Sequence, residues 1–144
     1  MSISTATVQT ALIARLNAVP AVTGLTDDIR EESWQGTNYQ NPNIRIHITR
    51  LTPIGVPGSC EKTSWTCEFS ISYRSPTPSS MPAADGIAVV VAAIVGHRLT
   101  GVGFTSRSAI LSTGVPGPTP ESEFSWYAPA MFMCRLQETP IGDL

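Results

Sequence analysis

Hydrophobic residues recur at two different periods along this chain, and each change of period marks a new element. Val8, Ala11, Leu12 and Leu16 follow at three- and four-residue intervals, with Gln9, Thr10 and Arg15 off the stripe. That spacing predicts a helix with one apolar side. Ser4 or Thr5 stands where an N-cap accepts a first-turn amide. Pro20 ends the pattern, because proline lacks an amide proton and restricts the residue before it. The period then becomes two. Ile44, Ile46 and Ile48 alternate with Arg45, His47 and Thr49, and Trp65, Cys67, Phe69, Ile71 and Tyr73 alternate with Thr66, Glu68, Ser70 and Ser72. Both runs predict strands with one buried face. The charged residues 28–32 read as a short edge strand, and residues 33–42 as a loop framing Trp34 and Tyr39.

The connection at residues 52–62 is too long for a two-residue hairpin and predicts a projecting arm stiffened by its prolines. A breaker at residues 75–80 precedes a second helix, which begins near Pro82 and runs through Ile87, Val90, Val91, Ile94 and Val95 to Gly96 or Leu99. Its β-branched content would suit a strand, but its span is long for a strand and ordinary for a helix. Because it is apolar nearly all round, cover on more than one side is expected. A strand near residues 108–112 and a last one over residues 124–137 follow, separated by a Pro- and Gly-rich loop at 114–120 inside a second arm at 113–123. The order predicts an α+β fold in one domain over residues 1–144: an antiparallel (mixed) β-sheet with two α-helices packed on one face. Its expected core holds Val8, Leu12, Leu16, Ile44, Ile46, Ile48, Phe69, Ile71, Val91, Ile94, Phe132 and Leu136.

Composition narrows the function. Nine Lys and Arg against 11 Asp and Glu give a net charge of −2, without the basic excess on which nucleic-acid binding depends. Charged residues are 14%, against roughly 25% in an average soluble domain, so part of the surface is expected to be covered by partners. The longest apolar run, Ile87 to Val95, is about half of the ~18–20 residues that cross a bilayer, so no membrane association is expected. No signal-peptide pattern opens the chain, which predicts synthesis in the cytoplasm. Three cysteines, Cys60, Cys67 and Cys134, are an odd number and read as free thiols.

Catalytic patterns are weak. His47 falls on the polar side of a strand and His97 at a helix end, where the dipole favours a cation. Cys60 and Cys67 lack the close spacing and the second ligand pair of a metal site. Asp27, Asp28, Glu31 and Glu32 read as solvated acids, and Gly101, Val102 and Gly103 as a turn. No enzyme activity, cofactor or metal is expected. The last strand carries more information. Trp126, Ala128, Ala130, Phe132, Cys134 and Leu136 fill one side; Tyr127, Pro129, Met131, Met133 and Arg135 lie on the other. On neighbouring strands that second side carries Thr66, Glu68, Ser70 and Arg45, so Met131 and Met133 form an apolar island, and methionine is enriched where subunits meet.

An N-terminal helix containing Ala11, Leu12, Arg15 and Leu16 is followed by a strand at Ile29, the Trp34-Gln35-Gly36 turn and Pro42 before a β-rich strand. The Trp65 to Tyr73 strand, the Ala83 to Leu99 helix and a last strand ending Arg135-Leu136-Gln137-Glu138 complete the series. This order resembles the tail terminator (tail completion, or head–tail joining) proteins of long-tailed bacteriophages, from about Thr5 to Glu138. The 114–120 insertion is longer than the family pattern, so loop contacts do not carry over. The resemblance implies a virion protein of the tail or neck, forming a homohexameric ring that caps the tail tube, stops its polymerisation and joins tail to head. Implied partners are further copies of itself, the tail tube protein, a neck or head-completion protein and, in contractile tails, the sheath; DNA would pass through without specific binding. Trp34, Tyr39, Ile54, Val56, Tyr127, Met131 and Met133 become candidates for subunit or tail-tube contacts, and Asp27, Asp28, Glu31 and Glu32 for lumen or ring-edge acids. The alternatives are a neck adaptor or minor tail-tube protein, or a small non-virion binding module.

Overall fold

A computed structural model describes residues 3–34, 42–54 and 64–139. These form three helices and a seven-stranded mixed sheet, an α+β fold with the helices packed against the sheet. Helix α1 (Thr5–Asn17) starts at a reciprocal cap. The Ser4 hydroxyl accepts from the Thr7 amide at 3.2 Å, and the Thr7 hydroxyl accepts from the Ser4 amide at 3.1 Å, so two otherwise orphaned donors are satisfied. Val8, Leu12 and Leu16 form its fully buried stripe. Pro20 does more than end α1: it occupies the first turn of a four-residue helix α2 (Pro20–Thr23), an element absent from the two-helix expectation, whose Val22 enters the core.

Strand β1 (Ile29–Glu31) lies parallel to β2 (Asn43–Ile54), which pairs antiparallel with β3 (Ser64–Ser75). The chain then crosses through helix α3 (Met81–Ile94) and returns as β4 (Phe104–Ser106), β5 (Leu111–Gly114), β6 (Thr119–Ser122) and β7 (Ser125–Glu138). The sheet order is β1-β2-β3-β7-β4, with β5 and β6 also on β7. Rows of inward residues cross it: Ile46, Ile71 and Ala130; Ile48, Phe69 and Phe132; Leu51, Cys67 and Cys134. Phe69 and Phe132 stack at 5.2 Å. A bulge between Ile48 and Arg50 shifts the phase of β2, so that Leu51 joins the core while Arg50 faces Glu68 on the outer side. Every expected core residue is buried except Val91, which packs at the margin.

Four expectations change. Helix α3 stops at Ile94, because Val95 is extended and Gly96 takes φ +83°, a conformation suited to glycine. Nor is α3 covered on several sides: Ala83, Gly86, Ile87, Val90, Ala93 and Ile94 are buried, whereas Ala84, Ala88 and Ala92 are exposed. The strand expected at 108–112 is instead two strands, β4 and β5. Between them Ile110 turns into the core, held by hydrogen bonds between its backbone and those of Gly96 and His97. Finally, the 114–120 loop is shorter than expected, since Thr119–Ser122 folds back on β7 through a two-residue turn.

Candidate interaction surfaces

The β1 edge is built around an ion pair. Parallel pairing sets Arg30 beside Arg45, and both guanidinium groups reach Asp28. Arg45 Nη1 and Nη2 donate to its two carboxylate oxygens at 3.2 and 3.1 Å, and Arg30 Nε donates at 3.1 Å. The Asp28 and Arg45 side chains are 3% and 2% exposed. The half-buried Trp34 ring lies 4.1 Å from the Arg30 guanidinium and 5.5 Å from that of Arg45, a cation–π arrangement that shields the pair. Asp28 is therefore a structural anion rather than a solvated acid, and Arg45 does not belong to a wet sheet face. Trp34 is engaged within its own chain. Charge patterning could not reveal this, because Asp28 and Arg45 meet only through strand pairing. The other three acids remain accessible: Asp27 and Glu32 are exposed and Glu31 is half-buried. Glu32 lies 3.6 Å from His47.

On the sheet face opposite the helices, the methionine island is present. Met131 is 38% exposed, Met133 is half-buried, and β5 sets Leu111, 55% exposed, directly opposite Met133. Leu111 was missed from sequence; only the β5–β7 register brings it there. Beside the island, Arg50 and Glu68 approach to 3.9 Å in solvent. The other contact candidates are dispersed. Tyr127 lies under Arg74, 4.8 Å from the ring, and Arg74 also bonds Glu121 at 2.9 Å, tying the β6–β7 hairpin to β3. Ile54 is half-exposed at the far end of β2. Tyr39 and Val56 lie outside the described residues, as does most of the 52–62 arm.

The two arms leave opposite ends of the sheet. Ile54 and Ser64 lie level with Gln137, whereas the β6–β7 turn precedes Ser125 at the other end of β7, about 40 Å away for a strand of this length. Phe124, 65% exposed, forms the tip of that turn. At the Gln137 end, Ile54, Ser64, Arg107, Ser108 and Arg135 line a cleft of about 260 Å³. Arg107 donates to the Ser64 hydroxyl at 2.8 Å, and the Ser108 hydroxyl accepts from the Arg135 amide at 3.0 Å. No carboxylate is among these lining residues.

Of the three cysteines, Cys60 lies outside the described residues, and the other two are built into the core. Cys67 and Cys134 face each other across β3 and β7. A thiol–thiol hydrogen bond and burial push Cys67 well above the ordinary thiol range, while that bond draws Cys134 down against the upward pull of burial. Burial raises Tyr73. His97 is lowered by desolvation and by nearby Arg15, which works against a cation on this imidazole at the end of α3. Arg15 takes that place, donating to the Ala93 carbonyl at 3.0 Å. Among the described residues, no group of three or more His, Cys, Asp or Glu could hold a metal ion. No helix among them is long and apolar enough to cross a membrane.

No family model matches the chain, and no curated protein matches it. Among solved structures, the fold is similar to a chain described as "Virion of native gene transfer agent (GTA) particle". The TM-score is 0.69 at 16% identity, covering 94% of this chain and 99% of that one.

Proposed function

We propose that this chain is a structural protein of a phage-like virion and, within it, a tail terminator: a homohexameric ring that caps the tail tube, halts its growth and joins it to the neck. The observation that carries this reading is the extent of the fold match. A chain belonging to a virion particle is covered over 99% of its length by 94% of this one, so the two share a whole unit rather than a common substructure. The surface suits such a role. Met131, Met133 and Leu111 give an apolar centre inside a polar rim, the pattern of a subunit interface. The β6–β7 hairpin lies at one end of the sheet, where an adjoining level of the particle would meet a ring. The protein acts through shape and association, without covalent chemistry.

Each ring contact needs roughly 800 Å² from either partner. Two contacts per copy would cover about a fifth of the 7801 Å² accessible surface, enough to account for the low charge content. Native mass spectrometry with light scattering on the purified chain tests the reading. A sixfold particle is expected, which Met131→Glu disperses while far-UV circular dichroism stays unchanged. A monomer at every concentration, even with tube ends present, would refute it. Stacked rings would favour the tube or neck-adaptor role instead.

A further inference from the structure

The two lateral edges of the sheet carry opposite charge. At the β1 edge, Asp27 and Glu32 are exposed and Glu31 is half-buried. Setting Arg30 and Arg45 against Asp28 still leaves this edge negative. On the other side of the sheet, Arg107, which follows β4 and bonds the Arg135 carbonyl, and Arg135 of β7 line the cleft with Ser64 of β3 and with Ser108. Neither arginine enters a salt bridge among the described residues. Among the described residues, Glu68 approaches Arg50, and Glu138 accepts from the Ile3 amide at 3.2 Å. Two guanidinium groups flanked by hydroxyls form a donor array suited to carboxylates. Because β1 and β4 are opposite ends of the sheet order, a cyclic assembly, which joins unlike patches head to tail, brings these edges together.

We propose that the Arg107–Arg135 cleft of one copy receives the acidic β1 edge, Asp27, Glu31 and Glu32, of the next copy in the ring. This rests on the ring reading and specifies its lateral contact. The levels are compatible. Glu32 bonds beside Ile46 and lies level with Met131, four residues from Arg135 along β7, an offset of about 13 Å. From β1, Arg135 on β7 lies three strand spacings away and Arg107 beside it four, about 14 to 19 Å. A strand tilt of about 35–43° to the ring axis brings the charges level, within the ~35–45° seen where sheets close on themselves. The Met131–Met133–Leu111 island then lies against the same seam, between the arginines and the β6 arm.

Charge exchange tests the contact. One variant carries Arg107→Glu and Arg135→Glu, the other Glu31→Arg and Glu32→Arg; all four residues lie on the surface, and circular dichroism with thermal melting verifies the fold. Each variant alone is expected to need at least ~100-fold more protein to assemble, because like charges then face each other. An equimolar mixture restores rings of alternating composition, since each altered edge meets the other's complement, and the chain bearing all four changes assembles alone. Rings that persist in both single-edge variants overturn this contact but leave the ring intact. A wild-type chain that never assembles overturns the ring itself. Anisotropy with a labelled DNA duplex covers the competing ligand. Wild-type binding that is lost on Arg107→Glu and Arg135→Glu while rings persist would give the cleft to phosphate and refute the proposal.

Discussion

Gly86 determines how closely α3 approaches the sheet. It faces Tyr73 of β3, and a Cβ placed on it would overlap Cε2 and Cδ2 of that ring and come within 2.9 Å of Cζ. The ring has little room to retreat, because Tyr73 is only 6% exposed. Two effects of Gly86→Ala therefore compete. Alanine in a helix interior stabilises by about 1 kcal/mol relative to glycine. Overpacking a filled core costs about 1–3 kcal/mol, and overlap with several ring atoms argues for the upper part of that range. The net expectation is a loss of about 1–2 kcal/mol. With a urea slope of about 2 kcal/mol/M, the unfolding midpoint falls by about 0.5–1 M. Tyr73→Leu, which shortens the obstructing side chain, should couple favourably with Gly86→Ala in a double-mutant cycle by about 1 kcal/mol or more. If Gly86→Ala alone raises the midpoint, as at an exposed helix position, α3 does not press on β3 through this ring and the packing argument fails.

Asp28→Asn, which removes the charge opposite buried Arg45, is expected to cost about 3–5 kcal/mol, whereas Glu32→Gln at the exposed edge should cost less than about 1 kcal/mol. Equal small losses in urea titrations would mean that Asp28 is a surface acid after all. Desolvation and Arg15 lower the His97 pKa in the folded chain, so the unfolded chain takes up the proton more readily. Its contribution to stability is accordingly complete above the ordinary value of 6.5 and is lost as pH falls below it. His97→Gln should flatten the urea midpoint between pH 7 and roughly pH 5, and an unchanged slope would contradict this assignment. Cys67 and Cys134 should resist thiol reagents until the protein unfolds, because both are buried; peptide mapping that finds either alkylated in native buffer would disprove it.

The sequence by itself determined the elements that follow from local rules. Val8, Leu12 and Leu16 define α1 because a 3.6-residue period admits only one shared face. The alternation through Trp65 and Tyr73 and through Trp126 and Leu136 likewise defines two strands and their buried sides. Met131 and Met133 were legible as an island for the same reason. Tertiary structure alone decided what depends on pairing between distant segments. The parallel β1–β2 register moved Asp28 from solvent into contact with Arg45 and drew Trp34 over them. The β5–β7 register set Leu111 beside the methionines. The chain path from β4 to β5 set Arg107 beside Arg135. Periodicity states which face a side chain occupies, but only the assembled sheet states which residues share that face, and ion pairs, apolar islands and clefts are made from that sharing.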